Sequence, residues 1–504
     1  MREATMPPLL TRVKEIPRGR LILAGFAVLL LFCCFRATVR GDGVGYYSYL
    51  PTIVAHQSFD VGPTFDQFIA NNTPVNPIFL QITLPNGLTA NFKPVGSALM
   101  ALPFYVVAHL VLIFVVPGSQ SPDVGSEYQL AFTAASLFFV ALALILIYRF
   151  VRGLWGRDAA VLATIGAIFA TPVVNYIFFE ASYSHNFTIF ATTAFALYLY
   201  QTRENRRHYQ WLLAGALGGL ATITHAQEVL FLALVPFEAG WQIWHRRWTV
   251  RLIPGYALFL VGALAPGLPQ LAMDRVLFEH WLPQSAPNIF FDFLHPHLWD
   301  MLFSTRHGWL SWSPIVAVAA LGMPAVVRRL QWFGAGLVAI AVGELYVNAS
   351  LSDWWGGAAF GARRLTDQTL LVALGLGAVF AFLLQRRLAR LVYAALAAGI
   401  AWTVLLLGTF YYIIANDTGP TWRDFLVDQL HAPLFTPRLF IQGTVLREVA
   451  MGDIFRAFYS GLIILAVVGA ALWLGTRADR SRTSARPPVA GLPLRSVRAT
   501  QALP

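Results

Sequence analysis

The chain has 504 residues, of which 57% are apolar and only 12% charged. Too few polar side chains exist to cover a soluble globule of that length, so composition points to a bilayer. The formal charge of +11 falls in short arginine clusters between apolar blocks, not on one basic face interleaved with aromatics. That pattern argues against a nucleic-acid partner and fits cytoplasmic loops of a membrane protein.

The first apolar block, Leu21 to Phe35, follows a basic stretch with Arg12, Lys14, Arg18 and Arg20. No small-residue cleavage site follows, so the block reads as a retained signal anchor with a cytoplasmic N-terminus. Cys33 and Cys34, the only cysteines, are adjacent within it. A disulfide framework and a cysteine metal site of ordinary spacing are both excluded.

Next comes a long polar insertion, 37-127, expected outside. It opens with GDGVGYYSYLP at Gly41 to Pro51, where Tyr46, Tyr47 and Tyr49 predict a short helix, and includes NFKPVG at Asn91 to Gly96. Ala98 to Val116 is apolar enough to cross. Crossing, however, would put the basic loop Arg149 to Arg157 outside, against the positive-inside rule. The consistent reading lays this block along the interface or lets it dip and return.

Spans of ~20 apolar residues are then expected near 20-37, 128-149, 159-178, 186-201, 210-225, 227-244, 252-272, 311-327, 332-350, 369-385, 390-414 and 456-475. Both ends are cytoplasmic, and the basic loops all fall inside. Most acidic residues fall in the outer segments, so any chemistry should face out. Aromatic mixtures such as Phe290 to Phe303 suit short helices in the headgroup layer. The tail, 476-504, is rich in Arg, Ser and Pro and is expected to be disordered.

Asp42, flanked by Gly41 and Gly43 just beyond the first span, reads either as a helix cap or as a base for an acceptor hydroxyl. Lys93 is one of two lysines among many arginines. It reads as a snorkelling side chain or as a compact cation at phosphate depth. In Ser352 to Leu365, Asp353, Trp354 and Trp355 precede two glycines and then Arg363 and Arg364. The tryptophans offer stacking faces for a sugar and the arginines forked donors for a phosphate; an aromatic belt is the plainer alternative. Arg306 and His307, beside Ser304 and Thr305, read equally as a phosphate contact or an interfacial anchor. Glu180 and His185 share a short outer turn, and His225 and Gln227 with Glu228 break a long apolar run. Ionisable groups at such depth are functional candidates, although a polar hairpin also accounts for the second set. The histidines and carboxylates lack zinc-site spacing, and no nucleotide-binding phosphate loop is present. No metal or other cofactor is therefore expected, with room left for a loosely held divalent cation at a donor phosphate.

A signal anchor, an early acid in a long outer loop, a Lys-Pro element before an amphipathic block, and many later spans together resemble the GT-C superfamily of membrane glycosyltransferases. The similarity is greatest to the branch holding protein mannosyltransferases and the lipid A aminoarabinose transferase. The resemblance implies an all-α polytopic fold of about twelve transmembrane helices over 1-475, with outward-facing interfacial helices in the first loop. It implies that Asp42 is catalytic and that Lys93 contacts the donor phosphate. Arg306, Arg363 and Arg364 then join Lys93, and Tyr46, Glu180, His185, His225, Gln227, His307, Asp353, Trp354 and Trp355 are substrate-binding candidates. A single Asp stands where many relatives carry an Asp-Glu pair. The implied enzyme transfers a sugar, with inversion, from a polyprenyl-phosphate donor to a lipid, glycan or protein acceptor on the outer side of a bacterial inner membrane. The alternative is a multi-spanning transporter or lipid flippase, against which stand the lack of related halves and the placement of the candidates at the outer edge.

Overall fold

Helices form along nearly every apolar stretch, and prolines and glycines decide where they break. The structure is a computed structural model and describes residues 18-71, 82-115, 121-281, 284, 289-413 and 419-483. After α1 (Arg18–Cys34) come two short helices of the outer insertion, α2 (Gly43–Val54) and α3 (Gly62–Ala70), then α4 (Gly96–Val115). The next helices are α5 (Ser126–Trp155), α6 (Arg157–Phe169), α7 (Val173–Phe178), α8 (His185–Gln201) and α9 (His208–Thr224). A 3-10 helix, Ala226–Ala233, leads into α10 (Leu234–Trp244), followed by α11 (Ile253–Leu264) and α12 (Gly267–Phe278). Short pieces α13 (Leu298–Phe303), α14 (Trp309–Trp312), α15 (Ile315–Leu321) and α16 (Met323–Leu330) precede α17 (Trp332–Ala349). Another 3-10 turn, Arg363–Gln368, feeds α18 (Thr369–Gln385), and α19 (Ala389–Tyr412), α20 (Trp422–Leu439), α21 (Thr444–Ala450) and α22 (Ile454–Thr483) complete the bundle. Among the described residues the only β-bridges are two isolated pairs.

Seven of these stretches are long and apolar enough to cross a membrane, so the chain is an all-α, multi-pass membrane protein. Other expected spans exist as shorter helices in series. The 159-178 span breaks at Pro172 between α6 and α7 and the 311-327 span at Pro314 and Gly322, while the 252-272 span, one of the seven, is interrupted at Pro266. Proline removes a backbone donor and clashes with the preceding turn, so each break falls where the ladder cannot continue. The last helix runs on to Thr483, through the start of the tail expected to be disordered. Arg and Ala there are good helix formers; the remainder of the tail lies outside the described residues.

α4 is long enough to span, yet both its flanks return to α2. Tyr49 donates to the Lys93 carbonyl before α4 (2.7 Å), and Tyr47 donates to the Pro122 carbonyl after it (2.8 Å). Asp123 then pairs with His56 at 2.9 Å and accepts from Thr64 and from Gln67 (2.8 Å) of α3. The polar segments on either side of α4 thus lie together. Val107, Leu110, Val111 and Phe114 of α4 are exposed, the face that would meet lipid.

The bundle has two chemically distinct ends. At one, Arg329 lies over Trp155 (5.4 Å), Tyr200 stacks on Phe333 (4.5 Å), and Arg206 pairs with Glu238 (3.1 Å), gathering the basic loops. At the other end α1 gives way to Asp42, α8 begins, α9 ends and α18 begins. The candidate site is there.

Candidate active site

Asp42 precedes the first residue of α2, but its side chain caps nothing. The cap alternative therefore fails. Its Oδ2 instead accepts from Arg363 Nη1 (2.8 Å) and lies 3.0 Å from Lys93 Nζ. Burial pushes the Asp42 carboxyl up, but the charges and hydrogen bonds of Lys93 and Arg363 outweigh it and hold the group well below the usual carboxylate range.

The glycines beside Asp42 are there because no room remains. At Gly41, with φ +55°, a Cβ would fall 2.3 Å from the Tyr183 hydroxyl; at Gly43 it would fall 2.2 Å from Ser182 Oγ and 2.9 Å from the Ser182 carbonyl. Any larger residue would push α2 off the Ser182 turn. Lys93 is positioned just as closely. Asn91, buried, donates to the Gly45 carbonyl (2.9 Å) and accepts from the Lys93 N–H (3.1 Å), while Tyr49 holds the Lys93 carbonyl. The Lys93 ammonium also lies 5.7 Å from the centre of the Tyr46 ring, a cation–π distance.

Arg363 and Arg364 divide between two acids. Arg364 pairs with Asp353 (2.7 Å) and donates to the Asp353 carbonyl (2.9 Å), while Gln227 donates to the Arg364 carbonyl (2.5 Å). Thr366 donates to the Arg363 carbonyl (2.7 Å), so its oxygen is left to accept from His185 Nδ1 at 3.1 Å. His185 in turn packs on Tyr176 (4.2 Å between ring centres) and faces His225 (6.5 Å). Glu180 lies 3.6 Å from Arg40. Burial pushes its carboxyl up, with Arg40 and then Arg363 opposing. Of the expected residues, Lys93 and Arg363 touch the Asp42 carboxylate and Tyr46 lies against Lys93, while His185 reaches Arg363 through Thr366, His225 faces His185, and Glu180 pairs with Arg40.

The remaining candidates form a second cluster around Trp355. The Arg306 guanidinium lies 3.7 Å from the centre of the Trp355 ring, and His307 Nδ1 donates to the Trp355 carbonyl (2.9 Å). Trp354 corrects an expectation. It is only 9% exposed and stacks on His297, so it offers no open face to a sugar ring. Its indole is used to pin the 289-303 segment to the Asp353 turn.

Sequence reasoning missed several members. Ser182, Tyr183 and Thr366 have no signal of their own, because their value comes from the backbone they approach. Arg40 has one: a charge two residues before Asp42 in an outer segment, against the positive-inside rule.

Residues 124–272, from just before α5 into α12, match the family of dolichyl-phosphate-mannose-protein mannosyltransferases. That stretch carries the sequence pattern of a glycosyltransferase family. No curated protein matches the chain. Among solved structures the chain is similar to ArnT from Cupriavidus metallidurans in its apo state, at 15% identity and a TM-score of 0.47 over 91% of this chain and 75% of that one. It is similar also to the same protein bound to undecaprenyl phosphate, at 14% identity and a TM-score of 0.45 over 91% and 76%.

Proposed function

We propose that the protein is a membrane glycosyltransferase that takes a sugar from a polyprenyl-phosphate donor and transfers it, with inversion, to a hydroxyl of a lipid, glycan or protein acceptor. The observation that carries this reading is one carboxylate held between two cations from segments far apart in the chain. The match of residues 124–272 to a family named for a polyprenyl-phosphate sugar donor supports it. The placement of the site at the end of the bundle opposite the basic loops supports an active site on the outer side of a bacterial inner membrane.

In the resting protein Asp42 is ionised but weakly basic, because Lys93 and Arg363 hold it. A phosphodiester arriving at that spot competes for the same two cations. As they turn to the donor phosphate, Asp42 loses its counter-charges and becomes a better proton acceptor. It then takes the acceptor's hydroxyl proton while the oxygen forms its bond to the anomeric carbon. The bond from that carbon to the phosphate oxygen breaks, and polyprenyl phosphate leaves with the electron pair, its charge offset by Lys93 and Arg363. No proton need be delivered to the leaving group. Glu180, paired with Arg40 nearby, is placed to orient the acceptor. Arg364 and Asp353 hold the turn that carries Arg363, and Arg306 over Trp355 offers a further cation at the rim.

The test is transfer from radiolabelled polyprenyl-phosphate sugars in membranes, native protein against Asp42→Asn at matched expression. The variant is expected to lose transfer by roughly 10²- to 10⁴-fold while still retaining donor. Transfer at native rate by the variant would rule Asp42 out as the base. Donor lipid moved across the bilayer without sugar transfer would favour a flippase.

A further inference from the structure

Behind the arginine turn, three acids from three segments meet: Glu228 on the 3-10 helix Ala226–Ala233, Glu344 on α17 and Asp367 on the turn Arg363–Gln368. One carboxylate oxygen from each lies within 4.8 Å of the others. All three are buried, at 1%, 0% and 3% exposure. The amide of Gln368, itself 1% exposed, sits among them, with Nε2 donating to Glu344 Oε2 (2.7 Å) and Asp367 Oδ2 (2.9 Å). Gln227 reaches Glu228 as well, but two amides do not satisfy three acids. Among the described residues, Glu228 Oε2, Glu344 Oε1, Asp367 Oδ1 and Gln368 Oε1 have no hydrogen-bond partner. His225 is the basic group beside the cluster, 3.8 Å from Glu228. That separation is beyond hydrogen-bonding distance, and among the described residues its Nδ1 has no hydrogen-bond partner. It therefore donates no hydrogen bond to the acids.

Buried acceptors without donors are costly, and like charges this close are more so. A proton on one acid supplies a single O–H donor and serves at most two of the four oxygens. A cation among the three carboxylates would offset their charges as well as serve their oxygens. We propose that Glu228, Glu344 and Asp367, with Gln368 Oε1 as a neutral fourth oxygen, bind one divalent cation. An all-oxygen set selects a hard ion, Mg²⁺, Ca²⁺ or Mn²⁺, over Zn²⁺. The ion fastens the Ala226–Ala233 helix and α17 to the turn whose first residues are Arg363 and Arg364. Its place is structural, behind the arginines, and the inference does not depend on the reaction proposed above.

The experiment uses the full-length protein in detergent, stripped with a chelator, dialysed against Mg²⁺, Ca²⁺, Mn²⁺ or Zn²⁺ in turn and desalted. Metal content and the melting midpoint are then measured. Native protein should retain about one equivalent of a hard cation per chain and melt several degrees higher with it than without. Glu344→Gln and Asp367→Asn, nearly isosteric, should lose both the metal and the cation-dependent shift, whereas Glu204→Gln, on an exposed loop, should keep both. Native protein that neither retains a hard cation nor is stabilised by one overturns the proposal, as does equal metal in native and variant proteins, or retention of Zn²⁺ alone. If the variants do not fold, the native protein's metal content and cation-dependent melting still decide.

Discussion

Asp42 is an acid made weak as a base by its own neighbours, and that gives its chemistry a measurable sign. In the free protein Lys93 and Arg363 hold the carboxyl well below the usual range. The stabilising effect of that pairing is present above the ordinary pKa of an aspartate, about 3.9, and fades as pH falls through the depressed value. In the proposed reaction a donor phosphate takes the two cations, and the same carboxyl then titrates higher. The acid limb of kcat, which reports the donor-bound enzyme, should therefore lie at higher pH than the acid limb of kcat/KM for donor, which reports the free enzyme. Coincident limbs, measured over one pH series, would mean that the cations stay on Asp42 throughout. The sequence makes Asp42 and Lys93 visible because each is unusual in place: an acid between glycines at the end of a span, and a lysine in an arginine-rich chain. Glu344 and Asp367 are invisible as a cluster because they are separated in sequence, and from Glu228 further still. Only the packing of α17 against two 3-10 segments brings them together. Trp354 is legible as an aromatic at an interface, but nothing in its neighbours tells that His297 would cover it.

At the level of elements, α2 is fixed by how closely its glycines let it approach the Ser182 turn. Gly43→Ala would place a methyl 2.6 Å from Ser182 Cβ as well as on its hydroxyl. Overpacking of this kind costs roughly 1–3 kcal/mol, so the variant should fold. The shift it forces on Asp42 should nonetheless lower transfer by about 10²-fold, the scale set by an ångström of misplacement. Adding Ser182→Gly, which removes two of the three clashing atoms, should recover part of the activity. A Gly43→Ala protein with native activity would show that α2 does not set the position of Asp42. Element type is legible along most of the chain, since apolar runs of span length can hardly be anything but helix in lipid. Breaks are legible only where proline falls. The 3-10 geometry of Ala226–Ala233 and Arg363–Gln368 is not, because it follows from tertiary demands on Gln227 and Arg363 and not from local propensity.

For the whole molecule the open structural question is sidedness, and α4 decides it. Because Ser121 donates to Gln67 of α3 (2.7 Å), the segment after α4 should share a side with the segment before it. On a background with Cys33→Ala and Cys34→Ala, single cysteines at Asn86 and Ser121 should react with an impermeant thiol reagent in intact cells. Cysteines at Asp158 and Glu204, by contrast, should react only after permeabilisation. Labelling of Asn86→Cys and Ser121→Cys from opposite sides would make α4 a true span and would put the basic loop between α5 and α6 outside. The charge pattern legible in the sequence favours the first result, although sequence alone could not say what brings the two flanks together. That role falls to Asp123 and its contacts with His56, Thr64 and Gln67.

The turn bearing Arg363 and Arg364 runs without interruption into α18, and this stretch is the most buried of the seven long apolar ones, 78% against 17–61% for the others. Across the Asp353 turn lies the 289-303 segment, where Phe291, Phe293, Leu294 and Trp299 are exposed. The site therefore has one wall cast into the core and one wall set against the surroundings. Random substitution should be uneven across it: changes in 363-385 disturb a buried stretch that carries Arg363, while changes at the exposed Phe291, Phe293, Leu294 and Trp299 leave the fold intact. In the proposed reaction, then, the wall that bears Arg363 is fixed by the core, and the wall that meets the surroundings is left to vary.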